Sequence, residues 1–165
     1  EPARDYLAAF AFPYMQAMSD WCALMKPGTP GGKVWSAMQK ALPFDRFGVF
    51  LNPGHLIGLD EWMSSPIYEG SEEPLASGMA MQMDVIPSHP VYGSTRMEDG
   101  YVIADEVLRG KLEADFPEVA ARCAARAQFM RKSLGMSVPD CLLPLSDTCG
   151  LIAPWLLAPE QVITL

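Results

Sequence analysis

The sequence predicts an α+β fold, in which an antiparallel sheet is flanked by helices and followed by a helical and irregular extension. Three observations predict it. Apolar residues recur at three- and four-residue steps near both ends of the chain, short alternating segments occupy the middle, and prolines interrupt the C-terminal segment. The 165 residues are 50% apolar, so one domain with a buried core is feasible.

Two helices are expected in the N-terminal segment. The first has one apolar face, whose members are Leu7, Phe10, Tyr14, Met18, Trp21 and Met25. Pro13 lies inside this helix and is expected to kink or divide it, because proline lacks the backbone N–H. The Lys26-Pro27-Gly28 sequence ends the helix. The second helix is expected over about residues 30–42.

The middle of the chain is expected to be mostly β structure. Residues 47–51 form a short apolar run that predicts a strand or a strand-like lead into a turn, and residues 79–86 alternate between large apolar and other side chains. Residues 95–99 and 101–104 predict two more short strands. Because short connections join these segments, antiparallel pairing is expected across residues 54–105.

The remaining segment, residues 106–165, is interpreted as an extension that packs on the same domain. It begins with two expected helices, over residues 106–114 and 117–134. Four prolines follow in the last part of the chain, which is therefore expected to be irregular.

Composition and charge narrow the classes of partner and location. The formal net charge of −8 would repel a phosphate backbone, so nucleic acid is not an expected partner. No apolar run reaches the ~18–20 residues of a membrane span, and a membrane is not expected as a partner either. Four cysteines without a CxxC pair predict reduced thiols and a cytoplasmic location. The chain begins at Glu1, which suggests processing or a fragment.

Three side chains stand out as candidates for chemistry. His55 lies between two glycines at the start of the β region, where it is either a metal ligand or a structural histidine. Asp84 and Glu98 lie on apolar strands, where a carboxylate is costly unless it is paired, bound to metal or facing water at an edge. One imidazole and two carboxylates are a ligand set that suits Zn, Mn, Co or Fe.

Motifs around these three residues resemble those of the pita-bread metallopeptidases, the family of methionine aminopeptidases, Xaa-Pro aminopeptidases, prolidase and creatinase. Residues 54–60, GHLIGLD, are similar to the family's Gly-His-Gly-Ile-Gly-Leu-Asp segment. Residues 78–84, GMAMQMD, are similar to its Gly-Met-Val-Phe-x-x-Glu strand. Residues 96–99, RMED, are similar to its Arg-Ile-Glu-Asp, and the Lys-Pro-Gly at residues 26–28 matches a helix connection of the family.

The resemblance implies that residues 1–105 are the C-terminal half of a pita-bread catalytic domain with a curved antiparallel sheet. It implies that His55, Asp84 and Glu98 bind a pair of divalent metals, Mn, Co, Zn or Fe, in the complete protein, with Glu98 bridging the two ions. Whether this chain by itself binds metal or binds none stays open at this point. Asp84 and Glu98 are then the catalytic carboxylates, and Asp84 also accepts a proton. The implied reaction is hydrolysis of a C–N bond in a small peptide or amidine by metal-activated water.

The sequence departs from the family pattern at three places. Two aspartate ligands of the family precede these motifs, and residues 1–54 supply no equivalent, so the chain carries three of five expected ligands. Asp84 replaces the usual glutamate and is one methylene shorter. Trp62 stands where the family has its second histidine, which contacts substrate. The isolated chain is therefore expected to have little or no activity.

Three more residues are candidate substrate contacts: Asp60, Trp62 and Tyr92. Asp60 is either a ligand for the substrate amine or a solvated loop acid, and Tyr92 is a candidate pocket wall. Two alternatives to a hydrolase stay open at this point. The chain is then a non-catalytic pita-bread module that has lost its metals, or the resemblance is coincidental and His55 is structural. A half-fold would expose a sheet edge, so a homodimer or other self-association is expected.

Overall fold

The computed structural model describes residues 5–60 and 63–165. A π-helical turn, Leu7–Ala11, precedes five α-helices in this part of the chain: α1 Phe12–Leu24, α2 Gly31–Ala41, α3 Phe44–Phe47, α4 Glu106–Asp115 and α5 Pro117–Lys132. The strands are β1 His55–Leu56, β2 Ala80–Asp84, β3 Glu98–Ile103 and β4 Leu142–Pro144. They form one antiparallel sheet in the order β1-β2-β3-β4. The predicted α+β class is confirmed, and β1, β2 and β3 pair antiparallel as expected. Residues 54–105 are not mostly β structure, however, because most of them lie outside these three short strands.

Two predictions about strands need correction. Residues 95–99 and 101–104 were expected to form separate strands, but β3 is one continuous strand that passes through Gly100. Gly100 pairs with Gln82 of β2, so the ladder is not interrupted there. The C-terminal extension was expected to be irregular, yet β4 lies in it and pairs with β3.

The prediction of a strand over residues 47–51 is wrong. Phe47 is instead the last residue of α3, which follows Pro43 at its N-cap. Gly48 then takes a left-handed conformation with φ of +64°, which turns the chain away from the helix axis. The side chain of Phe50 is 75% exposed, and Leu51 is also exposed. A strand in this segment would need a neighbour to satisfy its backbone groups, and the sheet passes elsewhere.

Pro13 was expected to kink or divide the first helix, and the helix changes type just before it. The π-helical turn ends at Ala11, and regular α-helix runs through and beyond Pro13. Because proline has no N–H, it cannot donate to the carbonyl oxygen of Ala9, four residues earlier. The Arg46 guanidinium donates to that oxygen instead, at 3.0 Å. A side chain of α3 thus satisfies the backbone group that the proline leaves free.

Helix α1 is the centre of the core, and its two largest buried side chains reach the sheet region. The Tyr14 hydroxyl donates to the carbonyl oxygen of Val85 at 2.9 Å and accepts from the N–H of Met97 at 2.8 Å. Val85 follows Asp84 and Met97 precedes Glu98, and these two residues are the last pair of the β2–β3 ladder, so the hydroxyl bridges the two strands where their ladder ends. The Trp21 indole donates to the carbonyl oxygen of Pro53 at 2.7 Å, just before β1.

The C-terminal segment is held to the sheet by a buried polar cluster. The Asp99 carboxylate of β3 accepts from the N–H of Gly150 at 2.6 Å. Arg126 of α5 donates to the carbonyl oxygen of Cys149. Burial raises the pKa of Asp99, and the hydrogen bond from Gly150 opposes that rise. A residue of β3 and a residue of α5 therefore fix the same turn of the tail.

Two further sequence expectations bear on location. The four cysteines are free thiols, and Cys22, Cys123 and Cys149 are buried. Within residues 5–60 and 63–165, no helix has both the length and the apolar composition needed to cross a membrane.

Removing the Tyr14 hydroxyl tests the bridge at the end of the β2–β3 ladder. Tyr14→Phe leaves a buried N–H and a buried carbonyl without their partner, so the free energy of unfolding is expected to fall by about 1–3 kcal/mol. Urea denaturation followed by circular dichroism measures the change. Tyr68→Phe is the matched control, because its hydroxyl donates to Glu73 at an exposed position. The bridge has no structural importance if both variants lose equal stability.

Candidate functional site

The side chains of strand β2 point alternately to the core face and to a polar face of the sheet. Its side chains alternate, as in any strand, so that Met81 and Met83 are buried in the core. Gln82 and Asp84 therefore lie on the opposite face of the sheet. This alternation explains how a charged residue is tolerated in an otherwise apolar segment.

The antiparallel register brings the three predicted metal ligands to that polar face. His55 of β1 pairs with Gln82, and Glu98 of β3 pairs with Asp84. Residues directly opposite on neighbouring strands direct their side chains to the same face. His55, Asp84 and Glu98 are therefore neighbours, although 43 residues separate the first from the last in the sequence.

The backbone before His55 is tightly constrained. Gly54 has a φ of +108°, and a Cβ atom there would lie 2.8 Å from the carbonyl oxygen of Gln82 and 3.1 Å from the Trp21 ring. Only glycine fits this position without displacing β2. The Ser65 hydroxyl donates to the carbonyl oxygen of Gly54 at 2.7 Å. These contacts fix the backbone before His55 and therefore the direction in which its side chain points.

The His55 ring is oriented by its own strand and faces Asp84. Its Nδ1 atom lies 2.9 Å from the carbonyl oxygen of Leu56. Because a carbonyl oxygen can only accept, Nδ1 carries a proton in this contact, which leaves Nε2 as the ring nitrogen that faces Asp84. Nε2 lies 3.7 Å from Oδ2 of Asp84. A hydrogen bond from Nδ1 to a backbone carbonyl is the usual support of a histidine that binds metal through Nε2.

Asp84 is in an unfavourable environment for a charged group. Its Oδ1 atom is buried and has no hydrogen-bond partner among the described residues. Burial raises the pKa of the Asp84 carboxyl, the charge of Glu98 opposite raises it further, and His55 lowers it. Like charges directly opposite on adjacent strands destabilise a sheet. Asp84 is therefore held in place by the fold despite its own electrostatic cost.

His55 and Asp84 are close enough to supply two of the ligands of one divalent cation. Two ligands of one ion must lie within ~4.2 Å of each other, which is twice a metal–ligand distance of ~2.1 Å. His55 Nε2 and Asp84 Oδ2 satisfy this condition at 3.7 Å. Glu98 is exposed on the neighbouring strand. In the part of the chain that the structure describes, no three histidine, cysteine, aspartate or glutamate side chains are close enough to hold an ion together.

A cleft of about 280 Å³ opens beside His55 and Asp84. Four further residues line it: Phe50, Leu51, Asn52 and Met63. Sequence reasoning missed these four, because it placed residues 47–51 in a strand and assigned nothing to Met63. The one available signal was the position of Phe50 and Leu51, immediately before the Asn52-Pro53-Gly54 turn that leads to His55.

Neither Asp60 nor Tyr92, two of the three predicted substrate contacts, lines this cleft. Asp60 is exposed in the turn after β1, where its carbonyl oxygen accepts from the N–H groups of Met63 and Ser64. Tyr92 stacks on the His89 ring with centroids 4.4 Å apart, and its hydroxyl donates to Asp5 at 2.8 Å. Trp62 lies outside the described residues.

Comparisons of the chain with protein-family models, with curated proteins and with solved structures found no match. The class of protein is therefore inferred from the residues of the polar face and from their arrangement. A histidine, a half-buried carboxylate and a second carboxylate are the residues of a candidate site for a divalent cation.

Neutralising Glu98 tests the electrostatic coupling across β2 and β3. Because the Glu98 charge raises the pKa of Asp84, Glu98→Gln is expected to lower that pKa in the metal-free protein. The side-chain carboxyl ¹³C shift of Asp84, followed by NMR through a pH titration, measures the change. Glu113→Gln, at an exposed position of α4, is the control and should leave the titration unchanged. An unaltered Asp84 titration in Glu98→Gln would show that the two carboxylates are not coupled.

Proposed function

We propose that this chain is the C-terminal half of a pita-bread catalytic domain in a metal-dependent hydrolase. The proposed reaction is cleavage of a C–N bond in a small peptide or amidine. The observation that carries the proposal is the approach of His55 Nε2 to the Asp84 carboxylate, at 3.7 Å, on the face that Glu98 shares. The three motifs that resemble the pita-bread metallopeptidases surround these same residues.

The energetics of the acid pair support a cation. Two carboxylates on opposite strand positions repel, and the unpartnered Oδ1 of Asp84 adds the cost of a buried polar atom. A bound divalent ion would offset both costs, because it attracts each carboxylate and occupies the free lone pairs. An arrangement that is unfavourable for folding alone is typical of a functional site.

Each residue has a distinct role in the proposed site. His55, Asp84 and Glu98 would hold the metal pair, which supplies Lewis acidity that activates water and polarises the substrate carbonyl or amidine carbon. Mn, Co, Zn and Fe all accept this mixture of imidazole and carboxylate ligands. The resemblance also assigns Asp84 the role of proton acceptor. The resemblance assigns the two remaining ligands to aspartates on strands that precede these motifs.

The location and assembly of the protein belong to the same proposal. The four free thiols suit a reducing compartment, so we place the protein in the cytoplasm. The short strands β1 and β4 form the two edges of the sheet. Self-association of the chain as a homodimer would cover such surfaces.

A second candidate function is binding without catalysis. It is favoured by the exposure of Glu98. It is also favoured because, within the described residues, no three histidine, cysteine, aspartate or glutamate side chains are close enough to hold one ion. In a module of this kind, Asp84 and Glu98 would attract a cationic group of a peptide, and no metal would take part. The two candidates differ in their response to divalent metal.

Metal titration tests the proposal on the chain itself. Calorimetry with Mn²⁺, Co²⁺ or Zn²⁺ is expected to show binding, and His55→Ala or Asp84→Asn should weaken it by at least ~10-fold, since even residues behind the ligands contribute ~10–100-fold. The control is His89→Gln, because the Nδ1 atom of His89 accepts from the backbone N–H of Val91 at a separate turn. No binding, or equal loss in the control, would favour the binding module.

The coding sequence upstream of Glu1 provides a second test. Two aspartates on consecutive predicted strands would complete the ligand set, and a protein that includes them is expected to hydrolyse dipeptide or amidine substrates when metal is added. Strands that lack both aspartates would rule out a five-ligand site.

A further inference from the structure

The lining of the cleft beside His55 combines large apolar side chains with a carboxylate. The side chains of Phe50 and Met63 are each 75% exposed and that of Leu51 is 40% exposed, although all three are large and apolar. His55 and Asp84 lie in the same cleft. Large apolar side chains left in water next to a buried carboxylate gain most from a ligand that covers both.

Phe50 and Leu51, two of the three apolar lining residues, lie on a segment that hydrogen bonds anchor at its end. Residues 48–54 lead from α3 to β1, and the Trp21 indole holds the carbonyl oxygen of Pro53 at 2.7 Å. The Ser65 hydroxyl holds the next carbonyl oxygen, that of Gly54, at 2.7 Å. Both donors are fixed relative to β1. The exposed side chains of Phe50 and Leu51 therefore stand beside His55 on a segment whose end cannot move freely.

The size and polarity of the cleft restrict its occupant. A volume of about 280 Å³ is slightly below the ~300–1,000 Å³ of typical ligand sites, so one side chain with its reacting group fills it. Asp84 in the lining, together with Glu98 opposite it on β3, repels an acidic side chain. Asn52 also lines the cleft, and its side-chain amide can accept or donate hydrogen bonds there.

We propose that this cleft is a specificity pocket for an apolar side chain of leucine or phenylalanine size, whose amino or amide group lies toward Asp84. The proposal rests on the proposed hydrolase function, since it names the substrate that the site selects. Phe50 and Met63 are the specificity-determining residues, because they offer the largest exposed apolar surface in the cleft. Glycine or an acidic residue at the same substrate position is disfavoured.

Binding of amino-acid amides tests the pocket. Glycinamide and leucinamide are titrated by NMR into the chain, once without metal and once with saturating Zn²⁺. Leucinamide is expected to bind at least ~10-fold more tightly than glycinamide, because each methylene in an apolar pocket contributes ~10-fold or more to discrimination. Phe50→Ser and Met63→Ser should each reduce the preference to less than about a third of its starting value. Both positions are exposed, so folding is not at risk.

The outcomes separate the pocket from the metal site. Leu157→Ser removes a similar exposed apolar side chain from the C-terminal tail and should leave the preference intact. Equal affinity for the two amides, or a preference that survives Phe50→Ser and Met63→Ser, would overturn the pocket. The Zn²⁺ affinity of the unaltered chain is measured in the same samples. If the chain does not bind Zn²⁺ but still prefers leucinamide, the proposed hydrolase function is wrong and the proposed pocket is supported.

Discussion

The pairing of β2 with β3 determines both the core and the site, and the Tyr14 hydroxyl bridges the end of that pairing. The register places Asp84 opposite Glu98, while Met81 and Met83 enter the core from the other face. A shift of one residue would reverse every side chain of β2, burying the carboxylate and exposing the methionines. The burial of apolar side chains thus fixes the position of the charged ones.

Helix α1 transmits this constraint to the rest of the polar face. Tyr14 contacts the strand ends beside Asp84 and Glu98, and Trp21 contacts the segment before His55. Two residues on one face of one helix therefore support the three candidate ligands from behind. Because these anchors are fully buried, the positions of His55 and Asp84 depend on the packing of the core more than on contacts between the two side chains.

The acid pair illustrates a conflict between folding and function. Asp84 is partly buried, lacks a partner for one oxygen and faces a second carboxylate, all of which oppose its ionisation. Asp99, the next carboxylate along β3, is more deeply buried but is satisfied by the N–H of Gly150. The contrast is between a carboxylate that the fold satisfies and one whose Oδ1 atom has no hydrogen-bond partner among the described residues. A cation at Asp84, or a cationic group of a bound substrate, would resolve the conflict.

The sequence by itself determined the features that depend on near neighbours. The helical spacing of α1 and the missing N–H of Pro13 are local, and so are the carboxylates of Asp84 and Glu98 within apolar strands. The tertiary structure alone decided that β4 joins the sheet, that residues 48–51 stay outside it, and that Phe50 and Met63 flank His55. The physical reason is that strand partners and cleft walls come from distant segments, and local periodicity carries no information about which segments meet.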